Sequence, residues 1–429
     1  MTSPGPPVGL DTQPPTPEAP SAPPSGSREL VDGREALARR GGPMIVTPTP
    51  DTARRRRVIA RRRLVGAVGG VVVLAVVVGV IAPVRDRLSD LVPSTRDGVA
   101  APSASSVLLA WPTSGGGASI VMLGAPGLTQ GSALLIPGNT QVEVPSFGSA
   151  TLASALRSGG PDTLDLAVEN ALGYDTGEVV GLAAENLAAL LGVVGPLNVR
   201  LRAPVVVGDR SYPAATVRLT ADEAATLAAT RSDDSTEIDH LAVVHAVLEG
   251  WLDALDAAEV DAVSRLLHDQ VRIDDARVER IAAVLTSLIS RHVAFDTLEV
   301  IPLGVPDERY RIDGDAADDE LAVLLPGLAF SSTGARVRVE ILNGTGTAGI
   351  ATEAARRLIP EGAEVVLMGN ASSFGVRETL LVLQTASAEA DARRFAGALG
   401  VGDIRMARNP LGVADVSIVL GADFDPGGE

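Results

Sequence analysis

Gly344-Thr345-Gly346-Thr347-Ala348-Gly349 is a GxGxxG run between a strand-like stretch and a helix-like one. By spacing it is the dinucleotide fingerprint: glycines let the backbone meet a pyrophosphate, and Glu364, roughly 20 residues on, would hold a ribose. The segment carrying it is too short for a doubly wound dinucleotide fold. It reads instead as a tight strand-to-helix turn, with an anion at the helix N-terminus as the milder alternative. The histidines are His240, His245, His268 and His292; none forms an i, i+4 pair and HExxH is absent. Cysteine is absent as well, which excludes disulfides, zinc thiolates and a cysteine nucleophile. Neither a GxSxG elbow nor a phosphate-binding GxxxxGKS/T occurs. The acidic run "DGDAADDE" at 313–320 offers oxygens to calcium but reads as a solvated loop, and "TRSDDSTEID" at 230–239 as a polar loop between helices.

The elements that would position these residues are read from composition and periodicity. The chain has 429 residues, 46% apolar and 3% aromatic, too long for one ordinary domain. The net charge of −17 is asymmetric. Residues 1–63 carry +5 and the remainder −22, a balance that repels nucleic acid. Residues 1–53 are Pro-, Gly-, Ser- and Thr-rich and read as a disordered tail. The basic run 54–63 contains seven arginines and precedes 64–84, which is 21 residues without a charge. That length spans a hydrocarbon core of ~30 Å as a single helix. The arginines place the N-terminus in the cytoplasm and everything after a stalk at 85–103 outside it.

From 104 to 330 the pattern is that of an α/β domain. "SVLLAW", "ASIVML" and "SALLIP" are short apolar strands bounded by Gly, Pro and Ser. "DTLDLAVENALG", "AAENLAALLGVVG", "TADEAATLAATR", "IDHLAVVHAVLEGWLDAL" and "ARVERIAAVLTSLISRH" have helical spacing. The expected fold is a transmembrane helix, an α/β/α sandwich and a small C-terminal α/β domain. A linker at 331–335 leads to that last domain at 336–424, with a tail at 425–429. It reads strand, glycine turn, helix, strand, strand, helix and two strands.

"VEILNGTGTAGIA", "VVLMGNAS", "ETLLVL", "ADARRFAGALG" and "DVSIVLGADF" closely resemble the LytR C-terminal domain, across nearly all of 336–424. The resemblance accounts for the GxGxxG. The ordered series "SVLLAW", "SIVML", "LLIPGNTQVEVPSFG", "GGPDTLDLAVENALG", "AENLAALLGVVGPLNVRL" and "LTADEAATLAATRS" looks like a diverged LytR-CpsA-Psr catalytic domain over about 104–260. That family transfers glycopolymers from a polyprenyl pyrophosphate carrier onto peptidoglycan, usually with magnesium. Arginines neutralise its phosphates and aspartates hold its metal.

At the matching positions those charges are gone. The Arg-Asp pair after Ile-Pro is Gly138 and Asn139. The aspartate after the first strand is Pro112. The Arg-Ser-Asp opening the second strand is Gly117, Ala118 and Ser119. Of the later Arg-x-Arg, Arg231 remains and the second is Asp233. The two helical arginines match His240 and Val243. The resemblance therefore implies a scaffold whose phosphate clamp has been stripped, a pseudoenzyme of the cell envelope that binds a polyprenyl-linked glycopolymer, peptidoglycan or wall-assembly proteins. Two alternatives stand beside it. One is an active, magnesium-dependent transferase in which Glu143, Asp209, Glu237 or Asp239 move in as ligands. The other is a structural wall-interaction protein with no lipid site.

Overall fold

A computed structural model describes residues 105–427 except 126–129, 146, 233, 290, 305–307, 331–335 and 411. The tail, basic run, membrane span, stalk, linker and Asp233 read from the sequence lie outside the described residues. Among the described residues no helix is long and apolar enough to cross a membrane.

The described residues form a mixed α/β structure. Strands β1 (Ser106–Pro112), β2 (Ala118–Gly124) and β3 (Gln130–Pro137) are antiparallel neighbours. Further on come the hairpin β4 (Gln141–Val144) and β5 (Gly148–Thr151), then β6 (Glu178–Gly181), β7 (Leu197–Arg200), β8 (Val205–Val207), β9 (Arg210–Tyr212) and β10 (Thr216–Leu219). β11 (His292–Thr297), β12 (Val300–Pro302) and β13 (Tyr310–Ile312) complete this half. The main sheet has the order β11-β3-β2-β1-β6, its two outer strands parallel to their neighbours.

Near-continuous apolar strands need cover on both faces, and two cores provide it. Val107, Leu109, Trp111, Val121 and Leu135 face one side; Leu108, Ala110, Ile120, Met122 and Leu134 face the other. The alternation is the period-2 pleat. The first face is covered by α2 (Ala184–Gly192), α3 (Ala221–Ala229), α4 (Glu237–Ala254), α5 (Ala257–Leu266) and α6 (Asp275–Ile289). The second is covered by α1 (Leu152–Leu172) and α7 (Gly314–Leu324). Leu187, Leu190 and Leu191 of "LAALLG" are thus core residues.

Two expectations need correction. The helix read from "DTLDLAVENALG" starts ten residues earlier, at Leu152, and is broken at Gly160 (φ 76°) before Pro161. The Gly-Gly-Pro run hides the first half from a periodicity scan, because proline cannot continue the donor ladder. The acidic run 313–320 is not a loop but the first turns of α7, whose Ala317, Leu321 and Leu324 are buried. Its hydrophobic positions recur at helical spacing only once "LAVL" is joined to it. Both α3 and α4 begin with capping boxes, Thr220/Glu223 and Thr236/Asp239.

The C-terminal half holds β14 (Val337–Asn343), α8 (Ile350–Leu358), β15 (Ala363–Asn370), β16 (Leu380–Leu383), α9 (Glu389–Leu399), β17 (Asp403–Met406) and β18 (Val416–Leu420). Its sheet order is β15-β14-β18-β16-β17. Leu166 of α1 packs into the core of this half, the third core of the described residues. The edge strand β15 is held by the Asn170 side chain, which accepts from Val365 N at 2.8 Å and donates to Val365 O at 3.0 Å.

Candidate functional site

The GxGxxG is a turn built by one side chain. Asn343 Oδ1 accepts from Thr345 N and Gly346 N, both at 3.0 Å, and Nδ2 donates to Thr347 O at 2.8 Å. Glu364 pairs in register with Arg338 near the start of β14, whereas the glycine run follows its end. Fingerprint and carboxylate therefore lie at opposite ends of the strands, and the dinucleotide geometry is not formed.

The positions that match the family's clamp converge only in part. Gly117, Ala118, Asn139, Arg231, Glu237 and His240 line one cavity of about 50 Å³. Pro112 and Gly117 line a different, apolar cavity of about 390 Å³ beside Leu156, Pro161 and Arg157. Ser119 is fully buried and its hydroxyl points to Ala228 O at 3.5 Å. Val243 packs half-buried against the first core and lines a third cavity.

Gly138 is forced by its surroundings. A Cβ there would stand 2.4 Å from Ala118 O, a backbone atom that cannot rotate away. Any side chain at 138 must shift the β2–β3 edge. Gly138→Arg, which would replace the charge the family carries, is expected to cost about 2 kcal/mol or more of stability. A thermal melt checks this, and an unchanged midpoint would contradict the contact.

The remaining charged groups satisfy one another. The buried carboxylate of Glu237 accepts from Asn139 N, 3.2 Å from each oxygen. Burial pushes it up to about 7, against the pull of the Asn139 and Gly138 N–H groups. Arg231 pairs with Glu308 through Oε2. Glu308 Oε1 accepts from Glu237 N at 2.6 Å and from the Tyr310 hydroxyl at 3.1 Å. His240 contacts Ala228 O through Nε2 at 3.1 Å, and burial lowers it to about 4, so it is neutral near pH 7.

A magnesium ion prefers an octahedron of oxygens, usually carboxylates and waters. This cavity offers the one carboxylate of Glu237, already bonded. Glu143 lines a cleft beside α7, Asp209 is in the exposed β8–β9 turn, and Asp239 closes the α4 capping box. The four residues considered as replacement ligands are therefore not brought together. Among the described residues no group of three or more His, Cys, Asp or Glu could hold a metal. Glu308 and Tyr310 were not legible as site residues: Glu308 lies 71 and 77 positions from its partners Glu237 and Arg231, Tyr310 joins them only through Glu308, and nothing local marks either.

The site thus belongs to a mixed α/β protein in which Arg231 and the Asn139 N–H already have carboxylate partners. The model of the LytR cell envelope-related transcriptional attenuator family matches residues 336–424. No curated protein matches the chain. Among solved structures it is similar to TagV of B. subtilis, with 16% identity, a TM-score of 0.44, and 54% of this chain against 99% of that one. It is also similar to a structure described as TagT bound to LI-WTA (17%, 0.42, 53% against 91%). A third is a transcriptional regulator from Enterococcus faecalis (14%, 0.44, 53% against 88%).

Proposed function

We propose that the protein is a single-pass envelope protein with its N-terminus in the cytoplasm, and that its extracytoplasmic middle domain is a non-catalytic relative of the LytR-CpsA-Psr transferases. It acts in cell-wall glycopolymer assembly by binding rather than by transfer. One observation carries the reading. Where the family holds pyrophosphate with arginines and a metal, this chain places Glu237 on the Asn139 N–H and ties Arg231 to Glu308. A second negative group brought there meets two carboxylates and a neutral His240, which is costly in a partly buried site. The LytR C-terminal domain and the family-like order of the middle-domain segments support the envelope setting. The arginine run before the apolar 21-residue stretch supports the topology.

The test uses the full chain in an uncharged detergent with a polyprenyl pyrophosphate-linked glycopolymer and magnesium, followed by mass spectrometry. The expected result is no release of the polyprenyl monophosphate above a protein-free control. Release that saturates with substrate would show a working transferase and end the non-catalytic reading.

A further inference from the structure

Glu308 lies between β12 and β13 with φ 43°, a left-handed backbone that side-chain-bearing residues seldom adopt. Its carboxylate gathers three donors of different kinds. Arg231 Nη1 meets Oε2; Glu237 N at 2.6 Å and the Tyr310 hydroxyl at 3.1 Å meet Oε1. A guanidinium, a helix-start N–H and a phenol are groups that bind an external oxyanion. A simple ion pair would need only the guanidinium. The next carboxylate inward, Glu237, takes the Asn139 N–H in the same manner. Glu308 also lines a cavity of about 720 Å³ with Ile238, Leu298, Val300 and Pro302, and the carboxylates of Asp296 and Glu299 lie on its wall as well. That volume is in the range of small-molecule pockets.

We propose that Glu308 is the built-in occupant of an oxyanion site at the mouth of this apolar cavity, holding the site closed against ligands with an anionic head on an apolar stem. The geometry follows from the contacts. Without the Glu308 carboxylate, the Arg231 guanidinium, the Glu237 N–H and the Tyr310 hydroxyl all lose their acceptor, and Ile238, Val300 and Pro302 line the cavity that Glu308 and Tyr310 also line. The proposal deepens the non-catalytic reading and rests on it, and its test measures binding alone, so the two fail separately.

The full chain, in an uncharged detergent, is titrated calorimetrically with inorganic phosphate and with hexyl phosphate. The wild type is expected to give no saturable binding. Glu308→Ala is expected to bind hexyl phosphate at least about tenfold more tightly than inorganic phosphate, because part of the stem leaves water. Adding Arg231→Ala to that variant is expected to abolish the binding. A cooperatively melting Glu308→Ala protein that binds neither ligand overturns the proposal. So does a wild type that binds hexyl phosphate as tightly as the variant. If Glu308→Ala does not melt cooperatively, Glu308→Gly, which removes the side chain and suits the left-handed backbone at this position, decides: binding supports the occupant, and none overturns it.

Discussion

The melting temperature is expected to rise by roughly 5 °C as pH falls from 8 to 5, and Glu169 and Asp165 of α1 carry most of the rise. Both flank Thr176, whose hydroxyl donates to Asp165 Oδ1 and, at 3.4 Å, to Glu169 Oε1. Burial raises Asp165 from 3.8 to about 6, and the Thr176 hydrogen bond, then the charge of Arg356, only partly oppose it. Burial, then the charges of Asp165 and Asp175, raise Glu169 from 4.5 to about 8. The folded chain therefore holds these protons more tightly than the unfolded chain. The stability they contribute is complete below about pH 4 and is lost as pH climbs toward 6 for Asp165 and 8 for Glu169.

Glu237, raised to about 7 by burial, acts in the same direction. His240 acts in the other: lowered from 6.5 to about 4 by burial, it contributes stability that is lost as pH falls through that window. Glu320, raised by burial to about 7, joins the carboxyls, and His245, lowered by burial, joins the imidazole. Four carboxyls against two imidazoles leave a net of order 3 kcal/mol between pH 5 and 8, at ~1.4 kcal/mol per proton per pH unit and with the neighbouring and part-exposed groups discounted. Glu169→Gln is expected to raise the melting temperature at pH 8 and to change it little at pH 5. Calorimetry at the two pH values decides. A flat profile, or equal losses at both values in the variant, would remove the buried carboxyls from the account.

Asn170→Ala is expected to loosen the junction between the halves by about 3 kcal/mol. The Asn170 amide serves three backbone groups at once: Glu143 O and Val365 O each at 3.0 Å from Nδ2, and Val365 N at 2.8 Å from Oδ1. Asn170 is 2% exposed, so water does not replace the lost partners freely, and each orphaned group costs ~1–3 kcal/mol. The consequence is sharpest on β15, the open edge of its sheet, where the side chain pairs with Val365 much as a neighbouring strand would. Asn170→Asp should be worse, since a carboxylate would then face two carbonyl oxygens. Hydrogen exchange at Val365 is expected to accelerate about 100-fold or more. An unchanged melting temperature with Val365 still protected would mean that Leu166 and the Arg336 contacts to Asn170 O and Ala363 O hold the junction without the amide.

Much of the architecture was legible in local pattern. β1 to β3 of the main sheet, α2, α3, α4, α6 and nearly every element of the C-terminal half followed from periodicity and from Gly and Pro punctuation, because those signals act within one or two turns of chain, whereas α5 and the outer strands β6 and β11 were not read from the sequence. The misreadings have local causes too: a Gly-Gly-Pro break inside α1, and an acidic first turn that masked α7.

The sequence by itself determined which residue types stand at the positions compared with the family's clamp. No folding can put an arginine at Gly138, His240 or Val243, or an aspartate at Pro112, Ser119 or Asn139. Only the tertiary structure decided what stands in their place. Glu237 meets Asn139 across 98 positions, and Glu308 meets Arg231 across 77. Such pairings depend on how the sheet's carboxyl edge, the start of α4 and the β12–β13 connection pack. That packing is set by burial summed over the whole core rather than by the residues that meet. A lone glutamate in a polar stretch has the same local sequence whether it is solvated or lodged against an arginine.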